Sequence, residues 1–424
     1  MKRRRVAVTG IGVLSAIGNG RDAFWRALES GANGVQRITN FDCSTFPVQI
    51  AAQVRPFDAS SLNLPPAVPK PVQVGLLSAE EAIADARLAR GTFDPARAGI
   101  VFSISHAGYS LDQICQVQPF LARHLSGQAT EYRDDDPAAV ALRSSFHKGP
   151  STTAVVAARR YGFRGCTSSA HTACATGNQA IGDAFRMVQR GAQEVMLAGS
   201  ASASVHPFGI VNFALLNALS TRNDAPEKAS RPFDRERNGF VVGEGGAAVV
   251  LEELEHARAR GARVYAEILG YGVSLDTFGM TQMDPEATGA SLCIRRALAE
   301  ARLEPAEIDY INAHGTSTPL NDKTETLAIK KVFGPKAYQV PISSTKSMIG
   351  HLLSGAGAVE LVAALLSIER AIVHPTINYE VPDPECDLDY VPNRARTQRV
   401  RTVLSNSFGF GGQNSCIVVG HYAG

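Results

Sequence analysis

Apolar residues follow two rhythms along this chain, and the rhythms alternate. Short runs rich in Val, Ile and Ala, at 5–9, 99–105, 194–199 and 245–251, read as buried strands. Between them, apolar positions recur at helical spacing over 24–28, 74–88 and 178–190. In the last of these Ala180, Ile181, Ala184, Phe185 and Val188 share one face, and Gly191 stands where a helix would end. The same order returns downstream: strands at 264–269, 308–313, 340–345, 403–405 and 416–419, helices at 288–301, 324–332 and 355–370. Such alternation predicts an α/β fold, with sheets covered by helices. The recurrence predicts two copies of one α/β unit, 1–262 and 263–424. One stretch breaks the rhythm. Residues 116–151 are polar and irregular, with three consecutive aspartates at Asp134, Asp135 and Asp136, and read as a surface excursion or a cap over a substrate or partner surface.

Composition narrows the class. The chain has 424 residues, 45% of them hydrophobic, enough for a large core and two or three domain-sized units. A net charge of +2 and 7% aromatic residues do not point to nucleic acid. The basic quartet Lys2-Arg3-Arg4-Arg5 leads straight into the first strand and reads as its solvated entry. No apolar run is long enough for a membrane span, and the N-terminus lacks the pattern of a signal peptide. The seven cysteines are odd in number, scattered, and without zinc-like spacing. That usage predicts a reducing compartment, the cytoplasm.

The chemistry concentrates at a few glycine-flanked positions. Cys174, in Thr172-Ala173-Cys174-Ala175-Thr176-Gly177, falls where a strand-like run should turn into a long helix. A thiol at a helix N-terminus is expected to favour the thiolate. His314 lies in Ala313-His314-Gly315 and His351 in Gly350-His351-Leu352. Taken singly, such a cysteine is most often a small buried hydrophobe and such a histidine a structural one. Taken together, at the ends of strands and starts of helices where α/β sheets present side chains to ligands, they suggest covalent acyl chemistry.

Eight motifs distributed over nearly the whole chain then carry a family resemblance. They begin with Arg4-Arg5-Val6-Ala7-Val8-Thr9-Gly10-Ile11-Gly12 and the Cys174 motif. They continue with Ser220-Thr221-Arg222-Asn223-Asp224, Ser230-Arg231-Pro232-Phe233-Asp234 and Gly239-Phe240-Val241-Val242-Gly243-Glu244-Gly245. The second half adds Asn312-Ala313-His314-Gly315-Thr316-Ser317-Thr318-Pro319, Ser344-Thr345-Lys346-Ser347-Met348-Ile349-Gly350-His351 and Asn406-Ser407-Phe408-Gly409-Phe410-Gly411-Gly412. In these the chain resembles a type II 3-oxoacyl-acyl-carrier-protein synthase, the condensing enzyme of fatty acid and polyketide assembly.

The resemblance implies a thiolase-like fold, two similar α/β halves in a five-layered α-β-α-β-α arrangement, usually dimeric. It implies that Cys174 holds the growing acyl chain as a thioester and that His314 and His351 act on the malonyl extender. The backbone N–H groups of Cys174 and Phe410 would form an oxyanion hole, with Phe410 also a gate. A buried Lys346 paired with Glu360 would fix the position and charge state of the second histidine, His351. Thr316 and Thr318 would contact the pantetheine arm, and Phe213 would line the acyl pocket. The implied partner is an acyl carrier protein bearing acyl or malonyl phosphopantetheine; no cofactor and no metal enter the expected chemistry.

Departures from the family pattern sharpen the expectation. His106 stands where an apolar residue at the base of the acyl tunnel is usual, which argues against a plain saturated chain. Lys70 is the only cation ahead of the helix at 74–88, and Asn217 stands where an arginine is usual, so the docking face for an acidic carrier reads as weakly basic. These features favour, as the second reading, the catalytic half of a heterodimer with a chain-length-factor-like partner, making a polyketide or polyene; a homodimer is the default. A CoA-dependent thiolase would need a second cysteine where Phe408-Gly409-Phe410 stands. A non-catalytic interaction protein would have no use for Cys174, His314, Lys346 and His351 together.

Overall fold

A computed structural model describes residues 3–65, 68–105, 111–128, 138, 140 and 148–424. Ten strands of the described residues form one mixed sheet. They are β1 (Val6–Leu14), β2 (Ala98–Ile104), β3 (Thr167–Ser168), β4 (Val195–Ala203), β5 (Glu244–Glu253), β6 (Ala266–Leu275), β7 (Tyr310–Asn312), β8 (Ile342–Ser343), β9 (Thr402–Gly409) and β10 (Gln413–Gly420). From the middle outward, the first five run β1-β5-β4-β2-β3 and the second five run β6-β10-β9-β7-β8. The two orders are identical, element for element. β1 and β6 join the halves antiparallel, Val6 opposite Ile268 and Val8 opposite Ala266.

Four helices define the layers: α1 (Lys70–Asp85), α2 (Thr176–Gln189), α3 (Thr288–Ala301) and α4 (Ala356–Arg370). α1 covers β1, β5 and β4 from outside; α3 covers β6 and β10; α2 and α4 pack on each other between the sheet halves. Outer helices, sheet, central helices, sheet and outer helices make five layers. Composition explains the central position of α4. Apart from Glu360 and Ser367 its buried residues are apolar or small on every side, and every residue from Ala356 to Ile368 is buried. A helix apolar all round belongs in an interior. Leu361, Leu365 and Leu366 are each fully buried, worth roughly 1.5–3 kcal/mol apiece. The central pair touches through small residues: a Cβ added at Gly177 would lie 2.4 Å from the Ala358 backbone nitrogen. That close contact fixes the start of α2, and with it Cys174, against α4.

Each strand expected from the pattern is present, most extended by a few residues. The stretch expected to be irregular differs. A helix spans Leu111–Leu125, its polar character reflecting exposure of most of it while Val117 and Phe120 are buried. Helices Thr152–Tyr161 and Pro207–Leu215 were also not legible as such. His106 lies outside the described residues, as do 129–137, 139 and 141–147. Among the described residues no helix is long and apolar enough to cross a membrane.

Candidate active site

Cys174 occupies a single 3-10 turn, Ala173–Ala175, that runs directly into α2. The turn is tied by the Thr176 hydroxyl, which accepts from the Thr172 N–H at 2.9 Å and donates to the Ala173 carbonyl at 2.7 Å. Ala173 takes a left-handed φ of 47°, a conformation that costs a residue with a Cβ on the order of 1–3 kcal/mol and is found where structure around it insists. Leu353, just past His351, does the same with φ 51°.

The histidines arrive from the other half. His314 follows β7 in a loop whose backbone is held by a buried carboxylate: Glu325 accepts from the N–H groups of His314 and Gly315, both at 2.8 Å. His351 is held by its backbone to the segment entering β5, its N–H donating to Val241 O at 2.7 Å and its carbonyl accepting from Gly243 at 2.9 Å. The two imidazoles meet edge to face with centroids 5.3 Å apart, and His351 Nε2 lies 3.1 Å from Cys174 Sγ. Phe408 packs against His314 and Phe240 against His351.

The hydrogen bonds behind the rings settle which nitrogens carry protons. The Leu353 backbone N–H donates to His351 Nδ1 at 3.2 Å. Lys346 Nζ lies 3.2 Å from His314 Nδ1. A backbone amide and an ammonium can only donate, so each Nδ1 accepts and each Nε2 keeps its hydrogen. Both imidazoles therefore present Nε2–H as a donor. Burial, then the positive charge of Lys346, hold both well below the ordinary histidine range, which keeps them neutral near pH 7.

Lys346 corrects part of one expectation: its charge bears on His351, but its hydrogen bonds do not reach it. It is buried and paired with Glu360, as the resemblance implied. Its other two bonds go to His314, at the carbonyl oxygen (2.6 Å) and Nδ1, not to His351. Three acceptors use all three ammonium hydrogens. The reason is chain direction: Lys346 opens the short turn Lys346–Ile349 and points inward to α4, whereas Gly350, with φ 66°, turns His351 away from it. The state of the thiol corrects another. Burial pushes Cys174 up to about 11, outweighing the Lys346 charge and the N–H groups of Phe410 and Cys174 that draw it down. Desolvation, not the helix N-terminus, sets the direction. Those two N–H groups nevertheless converge at the sulfur.

Two cavities meet at Cys174. One, of about 390 Å³, is lined by His314, His351, Phe408, Thr316 and Thr318 and opens past Met280 and Leu320. The threonine hydroxyls pair at 2.9 Å. The other, of about 490 Å³, extends the opposite way past Phe208 and His206. Phe410 and Phe213 border both. Lys70, half-exposed, bonds the buried Glu244 at 2.5 Å, while Asn217 is exposed at the mouth of the first cavity.

Sequence reasoning missed Glu325, although it carries the His314 loop. It is buried, accepts also from Asn406 at 3.1 Å, and burial pushes it up to about 7. Its signal was a charge inside an otherwise buried helical face, Thr324-Glu325-Thr326, eleven residues after His314.

Carbon–carbon bond formation on a thioester is the chemistry these groups suit, and the five layers are those of thiolase-like condensing enzymes. Comparison with known proteins takes this further. The β-ketoacyl synthase N-terminal domain matches residues 3–257 and its C-terminal domain residues 265–380. The chain is 44% identical to 3-oxoacyl-[acyl-carrier-protein] synthase 2 of Coxiella burnetii over 424 residues, 99% of each chain. It is 42% identical to putative polyketide β-ketoacyl synthase 1 of Streptomyces cyaneus, again over 99% of both. Among solved structures, a type II polyketide ketosynthase in complex with its acyl-carrier protein and bound to the hexaketide matches with TM-score 0.87 and 36% identity, covering 99% of this chain and 100% of that one. The ishigamide ketosynthase/chain length factor matches at 0.86 and 34%, with the same coverage. The chain belongs to the β-ketoacyl synthase family and is a condensing enzyme of the acyltransferase type.

Proposed function

We propose that this chain catalyses the decarboxylating Claisen condensation of an acyl thioester, held on Cys174, with malonyl-acyl carrier protein, giving 3-oxoacyl-acyl carrier protein in fatty acid or polyketide elongation. The observation that carries the reading is the pair of Nε2–H donors, each fixed from behind, on rings that share a cavity with Cys174.

Cys174 Sγ attacks the acyl-carrier thioester. The oxyanion is met by the N–H groups of Cys174 and Phe410, the carrier's C–S bond breaks, and the proton of Cys174 leaves with the carrier thiol. The malonyl thioester then enters with its carbonyl oxygen toward His314 and His351. The bond to its carboxylate breaks, carbon dioxide leaves, and the electron pair becomes an enolate whose charge lies on that oxygen. Two neutral donors in a water-poor site stabilise it without giving up their protons. The enolate carbon attacks the acyl-Cys174 carbonyl, the Cys174 C–S bond breaks, and the sulfur takes a proton from water. No base removes a proton from carbon.

Thr316 and Thr318 suit the pantetheine arm, Phe410 a gate between the chambers and Phe213 a wall of the acyl chamber. Lys346 and Glu360 act as positioning residues for His314. The division into 1–262 and 263–424 rests on the repeated strand order, and a cytoplasmic setting on seven unpaired cysteines. A second reading, the catalytic subunit of a heterodimer with a chain-length-factor-like partner, is favoured by Lys70, whose charge is paired with the buried Glu244, and by the neutral, exposed Asn217. Intact-mass analysis after incubation with acyl carriers tests the main reading. An acyl adduct should form on the wild type and not on Cys174→Ala; an adduct on the alanine variant would overturn it.

A further inference from the structure

The chamber behind Cys174 is mainly apolar, with a few polar groups set into its wall. Phe208, Phe213 and Leu353 form one part of its wall, but His171, His206 and Ser354 share it. His206 starts the helix Pro207–Leu215, and its Nδ1 accepts from the Gly209 N–H at 3.2 Å. By the same tautomer argument as for the catalytic imidazoles, Nε2 carries the hydrogen. That Nε2 has no hydrogen-bond partner among the described residues. It lies over Gly209, where an added Cβ would come within 3.3 Å of it, and Gly209 also faces the chamber. Ser354 supplies an independent sign. It is 4% exposed, and its hydroxyl is buried with no partner among the described residues. Unpaired polar groups cost free energy against methylenes and regain it against an oxygen acceptor.

We propose that this chamber takes an acyl chain still carrying unreduced carbonyl oxygens, and that His206 Nε2–H, with the Ser354 hydroxyl, reads those oxygens and sets specificity against saturated chains. The proposal rests on the condensation reading above and names the substrate class of that site. The preceding reaction in its sequence is then a condensation whose keto group has not been reduced.

The test uses N-acetylcysteamine thioesters of octanoate, 3-oxooctanoate and 5-oxooctanoate. The second-order rate of Cys174 acylation is read by intact mass. His206→Asn keeps a side-chain acceptor for the Gly209 N–H and removes the reaching donor; Ser354→Ala removes the hydroxyl. The wild type should favour at least one oxo chain over octanoate. His206→Asn should lower that ratio about fivefold to twentyfold, leave the octanoate rate equal or higher, and leave the melting temperature nearly unchanged. Ser354→Ala should lower the ratio less. A merely structural His206 would move all three rates together. Equal oxo-to-octanoate ratios in wild type, His206→Asn and Ser354→Ala overturn the proposal while acylation itself still stands. Failure of every thioester to acylate Cys174 overturns the condensation reading, and this proposal with it.

Discussion

Replacing Lys346 by Met separates what that residue does for stability from what it does for chemistry. In the wild type its nitrogen joins Glu360, the His314 carbonyl and His314 Nδ1. The substitution leaves a buried carboxylate alone; Glu360 already sits above the ordinary range because of burial, with Lys346 drawing it down. Breaking one side of such a pair costs about 3–5 kcal/mol. For a chain of 424 residues that corresponds to a fall of about 3–6 °C in melting temperature. Adding Glu360→Gln to Lys346→Met removes the orphan charge and should recover about half of the loss or more. Chemistry should not recover. Without Lys346, nothing donates to His314 Nδ1, so its hydrogen is free to sit on either nitrogen and Nε2–H is no longer enforced. Loss of one oxyanion-type donor costs about 100-fold to 1,000-fold in rate. The assays are calorimetric unfolding and carbon dioxide release from malonyl-acyl carrier protein, with acyl uptake by Cys174 as a control for folding. A double variant that regains full decarboxylation along with its stability would refute the assignment of Lys346 as the residue that fixes the His314 tautomer.

Other outcomes follow from the same geometry. His351→Ala should still take up acyl groups on Cys174, by mass, while losing decarboxylation of malonyl carrier about 100-fold or more; normal decarboxylation would remove His351 from the extender step. Alkylation of Cys174 by iodoacetamide should climb steadily from pH 7 toward 10, because burial pushes the thiol up to about 11, and should show no inflection near pH 6.5, because both imidazoles are held neutral. His374 is fully buried beneath the site and pushed down to about 4 from 6.5; between those values the unfolded chain binds the proton and the folded one does not, so stability falls as pH falls. His374→Gln should therefore shrink the loss of unfolding free energy between pH 6.5 and 4.5 by roughly 2–3 kcal/mol, measured by denaturant titration at each pH.

Much of the fold was written in local pattern. A helix such as Thr288–Ala301 shows its period in its own residues, and so does α4, whose lack of any polar face places it between layers. Cys174, His314 and His351 stood out because small residues bracket them at the ends of strands. What could not be read was whatever depends on a partner far away in sequence. Lys346 is five residues from His351 and thirty-two from His314, yet bonds the latter. Glu325 was passed over because its partners, two backbone N–H groups and the Asn406 amide, lie far from it in sequence. The thiol was misjudged for a related reason. A helix N-terminus is a local feature, whereas desolvation comes from both halves of the molecule closing over the sulfur.

On the proposed mechanism, that closure lets one small site run two steps without interference. Each of the two imidazoles has its Nδ1 occupied from behind, one by a lysine and one by a backbone amide. A ring held so can donate from Nε2 but has no lone pair there with which to take the Cys174 proton. Neither histidine can serve as the base that a cysteine–histidine pair would ordinarily imply. The proton must then leave with the carrier thiol, so sulfur turns nucleophilic in concert with an incoming thioester rather than resting as a thiolate. A resting thiol raised to about 11 is correspondingly slow toward oxidants and adventitious electrophiles. The donors, unchanged by the first step, are still protonated and aimed when the malonyl oxygen arrives for the second. On the proposed mechanism Lys346 and Leu353 therefore do more than hold rings in place: by choosing the tautomer they keep both imidazoles as donors, His351 toward the sulfur at 3.1 Å in the resting site and both toward the enolate oxygen in the second step.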